Sequence, residues 1–307
     1  MSRAYCKGVA LLTALLITAL LATLAITLKW NNALDIRRTV VMLNRDQAIQ
    51  VALGAESWVQ NILRDDLADS GETDHLGEIW AGDLPALPID GGEIFGSIED
   101  LQGRFNVNNL IGADGDIDPA ALKQFQDLLI ALQLDPRFAA IAADWIDGDD
   151  QASFPDGAED AIYTGFTPPY RAANQLLSNV TELGAIEGMD KASFDILLPH
   201  ITALPRHTEI NVNTATGPVL QSLGENISIG DVEALLAERE DAGFADITRS
   251  VEPLVDPALK GELVGYTSFF QLKLVVRIDT VRITYYSILE RGPQGDVTPI
   301  LRSLGTT

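Results

Sequence analysis

Hydrophobic residues are arranged along this chain in three different ways. Val9 to Leu28 is an unbroken apolar run without a charged residue. As a helix it is about 30 Å long, the thickness of a bilayer's hydrocarbon core. From Ala33 to Leu67 there is no proline and one glycine, Gly54. Here Ile36, Val40, Leu43, Ile49, Leu53 and Ile62 recur at helical spacing among charged positions. The pattern predicts one helix from Val9 to about Leu67, apolar all round at first and amphipathic afterwards. The third arrangement is strand-like alternation. It marks Glu93 to Asp100 and Arg104 to Leu110, then Phe269 to Asp279, Val281 to Arg291 and Thr298 to Leu304.

Between the two groups of strands the spacing turns helical. Helices are expected at Pro119–Gln133, Pro136–Ile146, Ala172–Leu177, Val180–Ile186, Lys191–Leu198, Thr214–Leu223 and Ile229–Arg239, the first capped by Asp118. Asp69 to Gly92, rich in Gly, Pro and Asp, is expected to be a connector. Strands before and after a helical block predict an α+β fold: a long N-terminal helix packed on an antiparallel sheet, interrupted by a large, mainly helical insertion. The expected divisions are a leader at 1–8, an apolar helix at 9–28 and its amphipathic continuation at 29–67. The first part of the α/β domain follows at 68–113, the inserted domain at 114–265, and closing strands at 266–307.

Charge sets the orientation. Arg3 and Lys7 precede the apolar run and hold the N-terminus in the cytoplasm, so the rest is expected outside the inner membrane as a single-pass protein. Lys29, Arg37 and Arg38 blunt that asymmetry. The one cysteine, Cys6, lies in the leader, so disulfides are not expected to stabilise the exported part. A net charge of −23 argues against nucleic acid as a partner and suits divalent cations.

No small-residue cleavage site follows Leu28, so the plausible cut lies at Gly8–Val9, before the apolar helix, which processing would leave in place. This order, basic leader, glycine, then helix, resembles the class III signal of type IV pilins and type II secretion pseudopilins. The phrases Asp144-Trp145-Ile146-Asp147-Gly148-Asp149-Asp150, Gly157-Ala158-Glu159-Asp160 and Pro169-Tyr170-Arg171-Ala172-Ala173-Asn174 are more specific, as is Ile210-Asn211-Val212-Asn213-Thr214-Ala215. With Thr181-Glu182-Leu183 and Gly188, they resemble the K-type minor pseudopilins of type II secretion over essentially the whole chain. The resemblance implies a pilin-type helix and sheet carrying a helical domain, prepilin-peptidase cleavage after Gly8 and N-methylation of Val9. It also implies a place at the pseudopilus tip beside minor pseudopilins of the I and J types. Thr13 would be the fifth mature residue, where most pilins have a glutamate; the K type is similar in lacking it.

The densest carboxylate cluster is Asp144, Asp147, Asp149, Asp150, Asp156, Glu159 and Asp160. Oxygen ligands without nearby cysteine or histidine suit Ca²⁺ rather than Zn²⁺. Asp144, Asp147, Asp149, Asp150, Glu159 and Asp160 are the expected ligands; the other reading is a solvated acidic loop. Members of the similar family bind calcium in the helical domain. Asp114, Asp116 and Asp118 are expected to form only a capped turn. Segments 181–198 and 214–244 look like helix-hairpin-helix units, but Glu187, Asp190, Glu225 and Asp231 oppose phosphate, so a packing role is expected. His75, His200 and His207 form no metal or triad spacing, and no enzyme is expected. The alternative function is a membrane-anchored periplasmic binding module for a secreted substrate.

Overall fold

A computed structural model of the chain describes residues 6–71, 73–82 and 84–305. Most of the expected leader, including Arg3, lies outside the described residues. Helix α1 runs over Cys6–Ser70, about 98 Å at 1.5 Å per residue, as the absence of proline allows. Its side chains are exposed from Val9 to Leu28, and Ile36, Val40 and Leu43 stay exposed too. The amphipathic half therefore uses less of its face than its spacing suggests. Burial begins at Ala48 and continues through Ala52, Glu56, Val59 and Leu63, one seam of the helix. The two alanines let the helix axis approach the sheet closely.

That sheet has five antiparallel strands: β1 (Leu84–Ile89), β2 (Gly92–Asp100), β7 (Phe269–Ile278), β8 (Val281–Arg291) and β9 (Val297–Leu304), adjacent in that order. Ile94 and Ile98 of β2 and Phe270, Leu272, Leu274 and Val276 of β7 turn inward onto α1. Strand β1 corrects the expected connector. Pro85 and Pro88 suggested a loop, but an edge strand has amides that need no partner, so proline is tolerated there. Glu56 of α1 is buried yet paired: Arg302 Nη2 donates to its Oε2 at 2.7 Å, and the Ser287 hydroxyl donates to Oε1.

A second polar contact fastens the end of α1. Arg291 is buried on the inward side of β8. Its guanidinium donates to Asp74 Oδ1 at 2.6 Å and to Asp66 Oδ2 at 3.2 Å, and lies 4.9 Å from the Phe270 ring centre. Asp66, Asp74 and Glu78 form a tight carboxylate group around it. Burial, then Glu78 and Asp74, push the Asp66 carboxyl up to about 6.

Strand β2 pairs along its length with β7, so everything between Asp100 and Phe269 interrupts one sheet. The interruption starts earlier than residue 114. Strand β3 (Phe105–Asn106) already pairs with β4 (Ile201–Thr202) inside the helical body. Only two residues of the expected strand Arg104 to Leu110 are extended; Val107–Leu110 is a 3-10 turn. The body holds α2 (Pro119–Ala131), α3 (Phe138–Ile146), α4 (Asp160–Tyr163), α5 (Lys191–Leu197), α6 (Gly217–Gln221), α7 (Ile229–Arg239) and α8 (Ile247–Ser250). Asp118 caps α2 through the amides of Ala120 and Ala121, at 2.8 and 2.9 Å. Ala172 to Leu177 is not helical: Asn174 has φ +46° and Asn108 takes the Leu177 amide.

The body is built twice on one plan. Asn106-Val107-Asn108 and Asn211-Val212-Asn213 each begin on the second residue of a two-residue strand that pairs in parallel with a later one, β3 with β4 and β5 (Ile210–Asn211) with β6 (Leu263–Val264). In both, the first asparagine's Oδ1 accepts from the amide of the second. In both, the second asparagine's Nδ2 donates to a carbonyl just beyond the partner strand, Leu204 or Gly265. Its Oδ1 accepts from a distant amide, Leu177 or Phe244, at 2.8 Å each. Buried side-chain amides thus supply the backbone partners that so short a ladder leaves unmet.

Candidate metal centre

Helix α3 is almost wholly apolar and buried, and its last turn brings Asp144 into the core of the first unit. The helix ends at Asp147, which leaves helical geometry at φ −70°, ψ 172°. Gly148, Asp149 and Asp150 turn the chain outward, and the loop returns at Gly157 to Glu159. Gly157 is required for that return, because a Cβ there would collide with the Asp144 carboxylate and the Ser153 backbone.

The return brings Asp147, Asp149 and Glu159 together, with one carboxylate oxygen of each lying within 4.8 Å of the others. Opposite oxygens around a Ca²⁺ ion are separated by about 5 Å, from bonds of about 2.4 Å, so the spacing fits. Asp147 and Glu159 are 7% and 3% exposed. Asp147 Oδ1, both Glu159 oxygens and Asp144 Oδ1 are buried and accept no hydrogen bond. No cationic side chain among the described residues pairs with Asp144, Asp147, Asp149, Asp150 or Glu159. Burial, with neighbouring carboxylates, raises the Glu159 carboxyl to about 7 and that of Asp147 to about 6. Burial also raises Asp144, against hydrogen bonds from Ser153. Three buried carboxylates confined in this way, with the exposed Asp149 beside them, need a cation or protons.

The other expected ligands have different surroundings. Asp144 Oδ2 accepts from the Ser153 amide at 2.9 Å, and its Oδ1 is buried without a hydrogen bond. Asp150 accepts from Asn174 Nδ2 at 3.1 Å. Asp160 opens α4, accepts from the Ala172 amide at 3.0 Å and faces Arg171 Nε at 3.6 Å. Trp145, Tyr163 and Tyr170 pack on one another, with Trp145 and Tyr163 buried. At the other end of the molecule, Gly8 and Val9 lie within α1. The Thr13 hydroxyl donates to the Ala10 carbonyl at 3.0 Å, so it is satisfied inside its own helix.

Sequence reasoning did not single out the Arg291 group or Asn174. An arginine in phase with Tyr285 and Leu289 on an inward strand face was a usable signal for the first. Asn174 stood only as the end of the Pro169–Asn174 phrase, and its contacts depend on a left-handed backbone that the sequence does not show.

Two family models, each described as type II secretion system protein K, match residues 103–206 and 210–252. The first spans the first asparagine-led unit, and the second begins with the second unit at Ile210 but ends before its closing strand β6. Type II secretion system protein K of Pseudomonas aeruginosa is 35% identical, over 97% of this chain and 93% of its own length. The Klebsiella pneumoniae protein of that name is 37% identical over 83% and 80%. Among solved structures, the crystal structure of the GspK-GspI-GspJ complex from enterotoxigenic Escherichia coli contains a similar chain, with a TM-score of 0.77 and 26% identity. The likeness covers 88% of this chain and all of that one.

Proposed function

The chain belongs to the type II secretion system protein K family, and from that premise we propose that it is a minor pseudopilin at the tip of the pseudopilus. It initiates or caps assembly with I- and J-type minor pseudopilins and so supports export of folded proteins across the outer membrane. The relative solved as a GspK-GspI-GspJ complex supports those partners. The observation that carries the reading is the reach of α1. Its first forty residues project from the globular part with apolar side chains exposed from Val9 to Leu28. Such a surface is stable in a bilayer or against similar helices, and hydrophobic burial drives its transfer between them. A helical body of some 170 residues on the sheet suits the end of a filament rather than its flank.

Before assembly, the helix anchors the chain in the inner membrane with its N-terminus cytoplasmic. Prepilin peptidase cuts after Gly8 and Val9 is N-methylated. Thr13 brings no charge to be matched by a further subunit above. The acidic loop holds Ca²⁺ in a structural role through Asp147, Asp149 and Glu159, with Asp144 beside them. The orphaned buried oxygens support that assignment. Labelling the chain on assembled pseudopili and imaging them tests the tip: signal at one end is expected, and signal along the length would overturn it. Replacing Gly8 with alanine should leave the chain uncut beside the peptidase. An unchanged cleavage product sinks that part of the reading.

A further inference from the structure

Asn174 sits against the acidic loop in a conformation that needs explaining. Its φ of +46° lies in the left-handed region, which asparagine tolerates better than most residues but at some cost. The strain is held by three hydrogen bonds. The Asn174 amide donates to the Trp145 carbonyl at 3.0 Å, and Nδ2 donates to the Asp149 carbonyl at 2.7 Å and to Asp150 Oδ1 at 3.1 Å. Asn174 therefore joins the last turn of α3 to the turn that carries Asp149.

Its other side-chain atom has no such partner. Asn174 Oδ1 is buried and accepts no hydrogen bond. Eleven buried side-chain polar atoms among the described residues lack a partner, and five of them are oxygens of Asp144, Asp147, Glu159 and Asn174. Random packing faults would scatter over the fold and would include donors as often as acceptors. Such a concentration of acceptors, drawn from α3, the acidic loop and the segment at Asn174, is the pattern left by a cation, and Ca²⁺ takes carboxamide oxygens alongside carboxylates.

We infer that Asn174 completes the cation site, its Oδ1 serving as a neutral ligand while its Nδ2 holds the Asp149–Asp150 turn in place. The inference rests on the calcium reading above and adds to it a residue outside the acidic cluster. It also gives the strained backbone a reason: φ +46° lets one side chain reach the turn with its nitrogen while its oxygen stays enclosed.

The test uses the full chain in detergent, stripped of metal and titrated with Ca²⁺ by calorimetry. Asn174→Gly keeps the left-handed backbone without strain and removes only the carboxamide. Its calcium affinity is expected to fall 10- to 100-fold, the usual range for losing a residue that supports a metal. Europium luminescence lifetimes in H₂O and D₂O should count one more bound water in the variant. Should the glycine variant not fold, Asn174→Asp keeps an oxygen at the position, and an unchanged water count with weaker binding is expected. If the unaltered chain takes up no Ca²⁺, the calcium reading fails. If it binds and Asn174→Gly binds equally with the same water count, only the Asn174 inference fails. A variant with lower metal-free stability but unchanged affinity would make Asn174 a purely structural residue and overturn the inference too.

Discussion

Two groups of three carboxylates are drawn together among the described residues, the oxygens of each within 4.8 Å of one another, and they meet the same electrostatic problem by different means. Asp66, Asp74 and Glu78 surround Arg291, a buried guanidinium that donates to both aspartates. Asp147, Asp149 and Glu159 have no such counter-charge among the described residues. In the first group Arg291 arrives with the sheet and fastens the end of α1 to β8, although Glu78 Oε1 accepts no hydrogen bond. The second is complete only when something is bound. Countercharge supplied from within makes a permanent fastening, whereas countercharge supplied from outside makes local stability depend on the medium.

The harshest way to break this contrast is to remove the internal cation. Arg291→Met leaves Asp66 and Asp74 without their cation and should cost about 3–5 kcal/mol in denaturant unfolding. Supplying the external cation comes next. Ca²⁺ at 100 times its dissociation constant should stabilise the chain by about 2.7 kcal/mol, read as a rise in melting temperature that chelation reverses. No shift on chelation would remove the calcium assignment. The double substitution Asp147→Asn, Glu159→Gln should abolish the response while stabilising the metal-free chain.

Titration sharpens the contrast further. Glu159 has its folded pKa raised from 4.5 to about 7, and Asp147 from 3.8 to about 6. A carboxyl raised on folding binds its proton more tightly in the native state. The metal-free chain should therefore be most stable near pH 4 and lose on the order of 2 kcal/mol as pH rises to 7. Saturating Ca²⁺ should flatten or invert that slope, because the ion replaces the protons. A metal-free stability that rises over this window would contradict the burial of these groups. The smallest expected effect comes from Arg171→Ala. Its contact with Asp160 is 3.6 Å long and largely exposed, so the loss should stay within about 0.5 kcal/mol with calcium affinity unchanged.

The periodic parts of this fold were the legible parts. A long helix, and strands β7, β8 and β9, follow from spacing that one side chain in two or in 3.6 must obey. The crowding of Asp147, Asp149 and Glu159 was visible as composition, because so many acids in so few residues need an explanation. Which of them meet was not visible, because that depends on Gly157 returning the loop and on Asn174 and Arg171 engaging Asp150 and Asp160. The strand β1 hid behind its prolines. The Arg291 fastening hid for another reason: its partners Asp74 and Asp66 lie 217 and 225 positions away. The doubled plan of the helical body was written twice as Asn-Val-Asn, yet only the hydrogen bonds identify those asparagines as equivalent.

The pairing of β2 with β7 also fixes an order of events in time. Asp100 meets Phe270, 170 positions later, whereas Phe105 meets Ile201 and Ile210 meets Leu263 within each unit of the body. Closing the longer loop is the slower step, and a chain emerging N-terminus first has no β7 to offer β2 until the body is already out. The helical body should therefore acquire protection in pulse-labelled hydrogen exchange before the sheet that carries it. Simultaneous protection of both would show that the sheet does not wait. Until it closes, the Ala48–Leu63 seam of α1 has nothing to pack against, so commitment of the helix follows the last strands to arrive.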